Sequence, residues 1–134
     1  PGHHAGRSGR TRDAQTQGFC LINNIAVGAF HAHLKHKLDR IAIVDFDIHD
    51  GNGTRDIVGD HEAFLFTQIY APFDFVADVE VGMCGAHGGA DDAAESRQTN
   101  CHSFPLKARN QCEEVHKTIN RQLIPLIKAF KPQI

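Results

Sequence analysis

The sequence predicts an α/β fold: a mostly parallel sheet flanked by helices. Ile41–Asp47 and Ala63–Ile69 are short apolar runs of strand length, and Cys101–Leu106 reads as a third strand. Two longer segments, Ile25 to Leu38 and Asn110 to Lys128, instead repeat apolar residues at a helical period. Strands that alternate with helices favour parallel pairing with both faces of the sheet covered.

Taken in order, residues Pro1–Gln17 are Gly-rich and polar without periodicity, which predicts a loop. Its informative feature is the adjacent pair His3-His4, because histidine is the commonest general acid or base. Arg7, Arg10 and Arg12 make the loop locally basic and are read as solvated. Asn23 or Asn24 suits the N-cap of the first helix, in which Ala26, Ala29, Phe30 and Leu34 form the apolar stripe. His31, His33 and His36 on that helix include no i, i+4 pair, so they are expected to face solvent.

The run Ile41–Asp47 leads into the stretch organised for chemistry. Along a strand, side chains alternate faces, so Asp45, Asp47 and His49 are expected to project the same way where the strand ends. Gly51-Asn52-Gly53 then signals a turn. In an open α/β sheet, ligands bind at that carboxyl end. A histidine with carboxylates two and four residues before it has the nitrogen and oxygen donors of a metal site. A calcium loop is excluded, because the glycine required at its sixth position is Asp50.

After the second strand, Tyr70–Asn100 is long, rich in Gly, Ala and Asp, and nearly aperiodic, so it is expected to rim the site. Phe73 and Phe75 near its start either pack or line a pocket. Cys84, His87, Cys101 and His102 lack zinc-site spacing. Beyond the third strand, Asn110 and Glu113 resemble a capping box, and Pro125 is expected to kink the last helix. Lys131–Ile134 looks like the approach to another strand.

With 134 residues and 41% hydrophobic content, the chain can form one core, so one domain or a piece of one is expected. The opening PGHHAGRSGR is neither an initiator methionine nor a signal peptide, which points to a piece. A net charge of −2 gives no footprint for direct nucleic-acid binding or an anionic membrane. No apolar run is long enough to span a bilayer. The four cysteines form no C-x-x-C pair, consistent with reduced intracellular thiols.

Three motifs in one order carry a resemblance: Pro1-Gly2-His3-His4-Ala5, then Gly18-Phe19-Cys20 with Asn23-Asn24, then Asp45-x-Asp47-x-His49-x-Gly51-Asn52-Gly53-Thr54. Together they resemble the zinc-dependent histone deacetylase family, of the arginase–deacetylase fold. Residues 1–134 would then be the central part of a single histone-deacetylase-like domain, incomplete at both ends. The resemblance implies Asp47 and His49 as two of three protein ligands of a Zn2+ ion. It implies His4 as general base and His3 as its electrostatic or acid partner, with Asp45 and Asn52 hydrogen-bonding those imidazoles. Gly18 and Phe19 match one wall of a channel for an acetyl-lysine stem, with Phe73 or Phe75 a candidate for the other. A K+ ion is implied near Asp45, Asp47, the His49 carbonyl and Thr67.

The family's third zinc ligand, an aspartate, and its oxyanion-stabilising tyrosine match nothing up to Ile134 and belong downstream. Asp50 stands where the family usually has a second histidine, which is expected to put a further negative charge beside the metal. The expected function is hydrolysis of the acetamide of acetyl-lysine in histones or other proteins, within a corepressor-type protein complex in nucleus or cytoplasm. The alternatives are an acetylpolyamine or small-amide amidohydrolase of the same fold, and a catalytically silent binding module or fragment.

Overall fold

The computed structural model describes residues 21–47, 49–71, 100–106 and 112–134. Three strands, β1 (Ile41–Asp45), β2 (Phe64–Tyr70) and β3 (Cys101–Pro105), form a sheet of order β1-β2-β3, and both pairings are parallel. β1 ends at Asp45, short of the expected Asp47. The reason is local: Asp45 Oδ1 accepts the Asp47 N–H at 3.0 Å, which turns the chain out of the ladder.

Helix α1 (Asn24–His36) is capped by Asn23, whose side chain accepts the Ala26 N–H at 2.9 Å. Its other end is closed by Lys37 in the left-handed region, φ 58°. Ala26 and Ala29 pack with Ile41, Ile43, Phe64 and Phe66 in the core on this face of the sheet. His33, expected in solvent, is half-buried there. Its ring meets His61 edge-on at 4.9 Å, and its Nδ1 lies 2.7 Å from the Leu38 carbonyl.

A helix follows directly where the Gly-Asn-Gly signal promised only a turn: α2 (Asn52–Val58). Asn100 anchors its far end, its side-chain nitrogen lying 3.3, 3.0 and 2.8 Å from the carbonyls of Val58, His61 and Phe64.

The opposite face of the sheet is covered by the C-terminal helix, through Ile69, Leu106 and Leu123 with Phe104, Val115, Ile119 and Ile127. This helix runs as α3 (Cys112–Thr118), a π-helical stretch (Ile119–Leu123) and α4 (Ile124–Phe130). Pro125 cannot donate to the helical ladder, and its ring crowds the preceding turn. The ladder adapts just before it, the Ile124 N–H reaching the Ile119 carbonyl five residues back. Asn110, the cap of the expected capping box, lies outside the described residues, while Glu113 stands in the first turn of α3.

Beyond α4 the chain reaches the free edge of β1. The Gln133 N–H donates to the Arg40 carbonyl at 2.7 Å, and the Ala42 N–H to the Ile134 carbonyl at 2.9 Å. Helices thus cover both faces of a parallel sheet, as the alternation of elements predicts. No helix among the described residues is long and apolar enough to cross a membrane.

Candidate metal centre

The strand register lines up three polar side chains. Asp45 pairs with Gln68, and Gln68 with Ser103, so all three share one face, a step beyond the apolar row Ile43, Phe66 and Cys101. Buried polar groups at this depth cost free energy unless partnered. Gln68, fully buried, is satisfied at both ends. Its Oε1 accepts the Gly51 N–H at 2.7 Å, while its Nε2 donates to Asp50 Oδ1 at 2.7 Å and Ser103 Oγ at 2.9 Å.

Asp45 is 3% exposed, and its Oδ2 has no hydrogen-bond partner among the described residues. Burial pushes its carboxyl up to about 6, against the lowering effect of the Asp47 N–H. Gly51 folds back over this strand end. The turn from Asp45 to Gly51 is thereby held against the sheet.

Within that turn the two expected metal donors meet. Asp47 Oδ1 accepts the His49 backbone N–H at 2.8 Å and lies 2.7 Å from His49 Nδ1. The His49 side chain is 44% exposed and that of Asp47 is 23% exposed, so both are reachable from solvent. A carboxylate oxygen and an imidazole nitrogen suit zinc. Bonds of about 2.0–2.1 Å at a tetrahedral angle separate two ligand atoms by about 3.3 Å. The pair needs only a small opening to take the ion. Among the described residues, no three His, Cys, Asp or Glu side chains converge as a fuller set.

Asn52 opens α2, and its Oδ1 accepts the Gly53 N–H at 2.9 Å. Thr67 pairs with Val44, one step out of phase with the Asp45–Gln68 pair, and its hydroxyl reaches the Ile43 carbonyl at 3.5 Å. Its side chain therefore turns to the other face from the Asp45 carboxylate. His3, His4, Gly18, Phe19, Phe73 and Phe75 lie outside the described residues.

Asp50 carries more partners than the sequence announces. Its negative charge is felt at Asp45, whose carboxyl it helps to raise, but it is not unpartnered: Arg55 Nη1 and Nη2 each reach one of its oxygens at 3.2 Å, and Gln68 adds a third donor. Sequence reasoning missed Gln68, Arg55 and Ser103. The available signal was Gln68 itself, an amide within the run AFLFTQI, which demands partners if that strand is buried.

Fold and site define a parallel α/β domain that gathers an Asp/His donor pair at the carboxyl end of a strand. The Histone deacetylase domain family model matches residues 1–134, and the chain belongs to that family. It is 40% identical over its whole length to Type-2 histone deacetylase 2 of Dictyostelium discoideum, of which it covers 8%. It is 29% identical to the Histone deacetylase-like amidohydrolase of Pseudomonas aeruginosa, covering 32% of that protein. The crystal structure of the HDA15 HD domain superposes with TM-score 0.66 and 25% identity, over 95% of this chain and 35% of that one. The chain thus spans a small part of the relatives it matches.

Proposed function

We propose that the protein carrying this chain is a zinc-dependent deacetylase that hydrolyses the acetamide of acetyl-lysine in histones or other proteins. The observation that carries this is the Asp47 Oδ1–His49 Nδ1 pair at 2.7 Å, in a chain whose whole length matches the deacetylase domain. Asp47 and His49 would hold the ion. When bound, zinc supplies a Lewis acid for the amide carbonyl and a lowered pKa for water. Asp47 Oδ1 also takes the His49 backbone N–H, which orients the imidazole relative to the carboxylate.

The remaining assignments follow from the family. His4 takes the proton from water and His3 balances charge beside it, with Asp45 and Asn52 fixing their tautomers. Gly18, Phe19 and Phe73 exclude water from the acetyl-lysine stem. Asp45, Asp47 and the His49 carbonyl are the groups that would hold a K+ ion. The Thr67 side chain lies on the other face of the sheet from the Asp45 carboxylate and does not fit that set. The partners are acetylated proteins and a corepressor-type complex in the nucleus or cytoplasm.

The test is turnover of an acetyl-lysine peptide and of an acetylated polyamine by the full-length protein, with metal content measured alongside. One zinc per chain and preference for the peptide are expected, and His49→Ala should abolish both zinc retention and turnover. Preference for the polyamine would move the substrate class to small amides. Retained turnover in His49→Ala would overturn the metal assignment.

A further inference from the structure

Four separate segments converge behind the donor pair. Asp50 and Gly51 belong to the turn, Arg55 to α2, Gln68 to β2 and Ser103 to β3. Gln68 holds the turn at two successive residues, taking the Gly51 N–H at 2.7 Å and giving its amide to Asp50 Oδ1 at 2.7 Å. Arg55 occupies both Asp50 oxygens and reaches Ser103 Oγ at 3.3 Å. His49 is thereby bracketed. Its own N–H is fixed by Asp47 Oδ1, and the next two residues are fixed by the network.

We propose that Gln68, Arg55 and Asp50 form a clamp that positions the His49 imidazole for metal binding, an inference that rests on the function proposed above. The clamp gives Asp50 a geometric task. Both of its oxygens are engaged, and Arg55 counters its charge, so the carboxylate acts on the metal pair through the backbone it pins. The three are positioning residues and touch no substrate. Where the family usually has a second histidine, an aspartate works here because Arg55 and Gln68 supply the donors that a carboxylate needs. Side chains that orient a metal ligand typically change metal affinity or activity by about 10- to 100-fold when removed.

The experiment uses the full-length protein and three variants: Gln68→Met, which keeps bulk and removes both polar ends, Arg55→Met, and the conservative Arg55→Lys. Zinc loss to a chelator is timed, the visible spectrum of the cobalt-substituted protein is recorded, and kcat and KM are separated. Gln68→Met and Arg55→Met should speed zinc loss by about 10- to 100-fold, alter the cobalt bands and lower kcat with KM unchanged. Arg55→Lys should recover most of the loss. Unchanged zinc loss and cobalt bands, with only a lower melting temperature, would overturn the clamp. If the wild-type protein takes up no zinc, the proposed function fails, and amide exchange decides the clamp by itself. Acceleration in Gln68→Met at the His49 N–H, which bonds Asp47 and not Gln68, but not at Phe66 would uphold the positioning of His49, and an unchanged His49 or equal acceleration at both would overturn it.

Discussion

A methyl group on Gly51 would stand 2.6 Å from Asp45 Oδ2, so the backbone of the turn rests directly on the carboxylate at the end of β1. The same methyl would lie 3.0 Å from Phe66 Cζ and 3.1 Å from Gln68 Oε1. Gly51 has φ −78°, which any residue adopts. Space alone demands glycine here.

Gly51→Ala should therefore act as overpacking, costing about 1–3 kcal/mol. Because the displaced turn carries His49, turnover should fall with stability. Urea unfolding midpoints and peptide turnover of the full-length variant check this; an unshifted midpoint would mean that Asp45 yields easily.

Asn23 joins two helices, since besides capping α1 its Nδ2 donates to the buried Thr54 Oγ1 of α2 at 2.9 Å. Asn23→Ser keeps a capping oxygen and gives up the reach to Thr54, whereas Asn23→Ala gives up both. The alanine variant should lose about 2–3 kcal/mol, about 1 from the cap and the rest from the interhelical bond. The serine variant should fall between it and wild type. Equal losses would remove the cap from the account.

Lys37 closes α1 at φ 58°, a region where an L-residue pays about 1–2 kcal/mol and glycine almost nothing. Part of that gain is offset by the larger unfolded-state freedom of glycine. Lys37→Gly is expected to stabilise the protein by about 0.5–1 kcal/mol, measurable as a raised denaturation midpoint with activity unaltered.

Proton transfer separates from metal binding in the family assignment. In the full-length protein His4→Ala should lower kcat by about 100- to 10,000-fold while zinc stays at one per chain. Near-normal turnover would remove His4 from the mechanism.

The sequence by itself determined what depends on neighbours along the chain. Asn23 caps α1 because its acceptor is three residues away. Asp47 and His49 meet because they are two residues apart in a turn. The short apolar runs between helical repeats sufficed for a parallel α/β sheet, and the ordered motifs sufficed for the family. Local signals misplaced the end of β1, where a side-chain-to-backbone bond outcompetes the ladder. They announced a disturbance at Pro125, and the ladder shifts just before it, the Ile124 N–H reaching the Ile119 carbonyl.

Only the tertiary structure decided what stands behind the donors. Gln68 and Ser103 are 35 residues apart, and their meeting depends on the register of β2 against β3. Asp50 reads in sequence as an extra negative charge. Folding gives it Arg55 from α2 and the Gln68 amide from β2. The physical reason is that a charge takes its effect from the donors within a few ångströms, and in a parallel sheet those arrive from distant strands and helices.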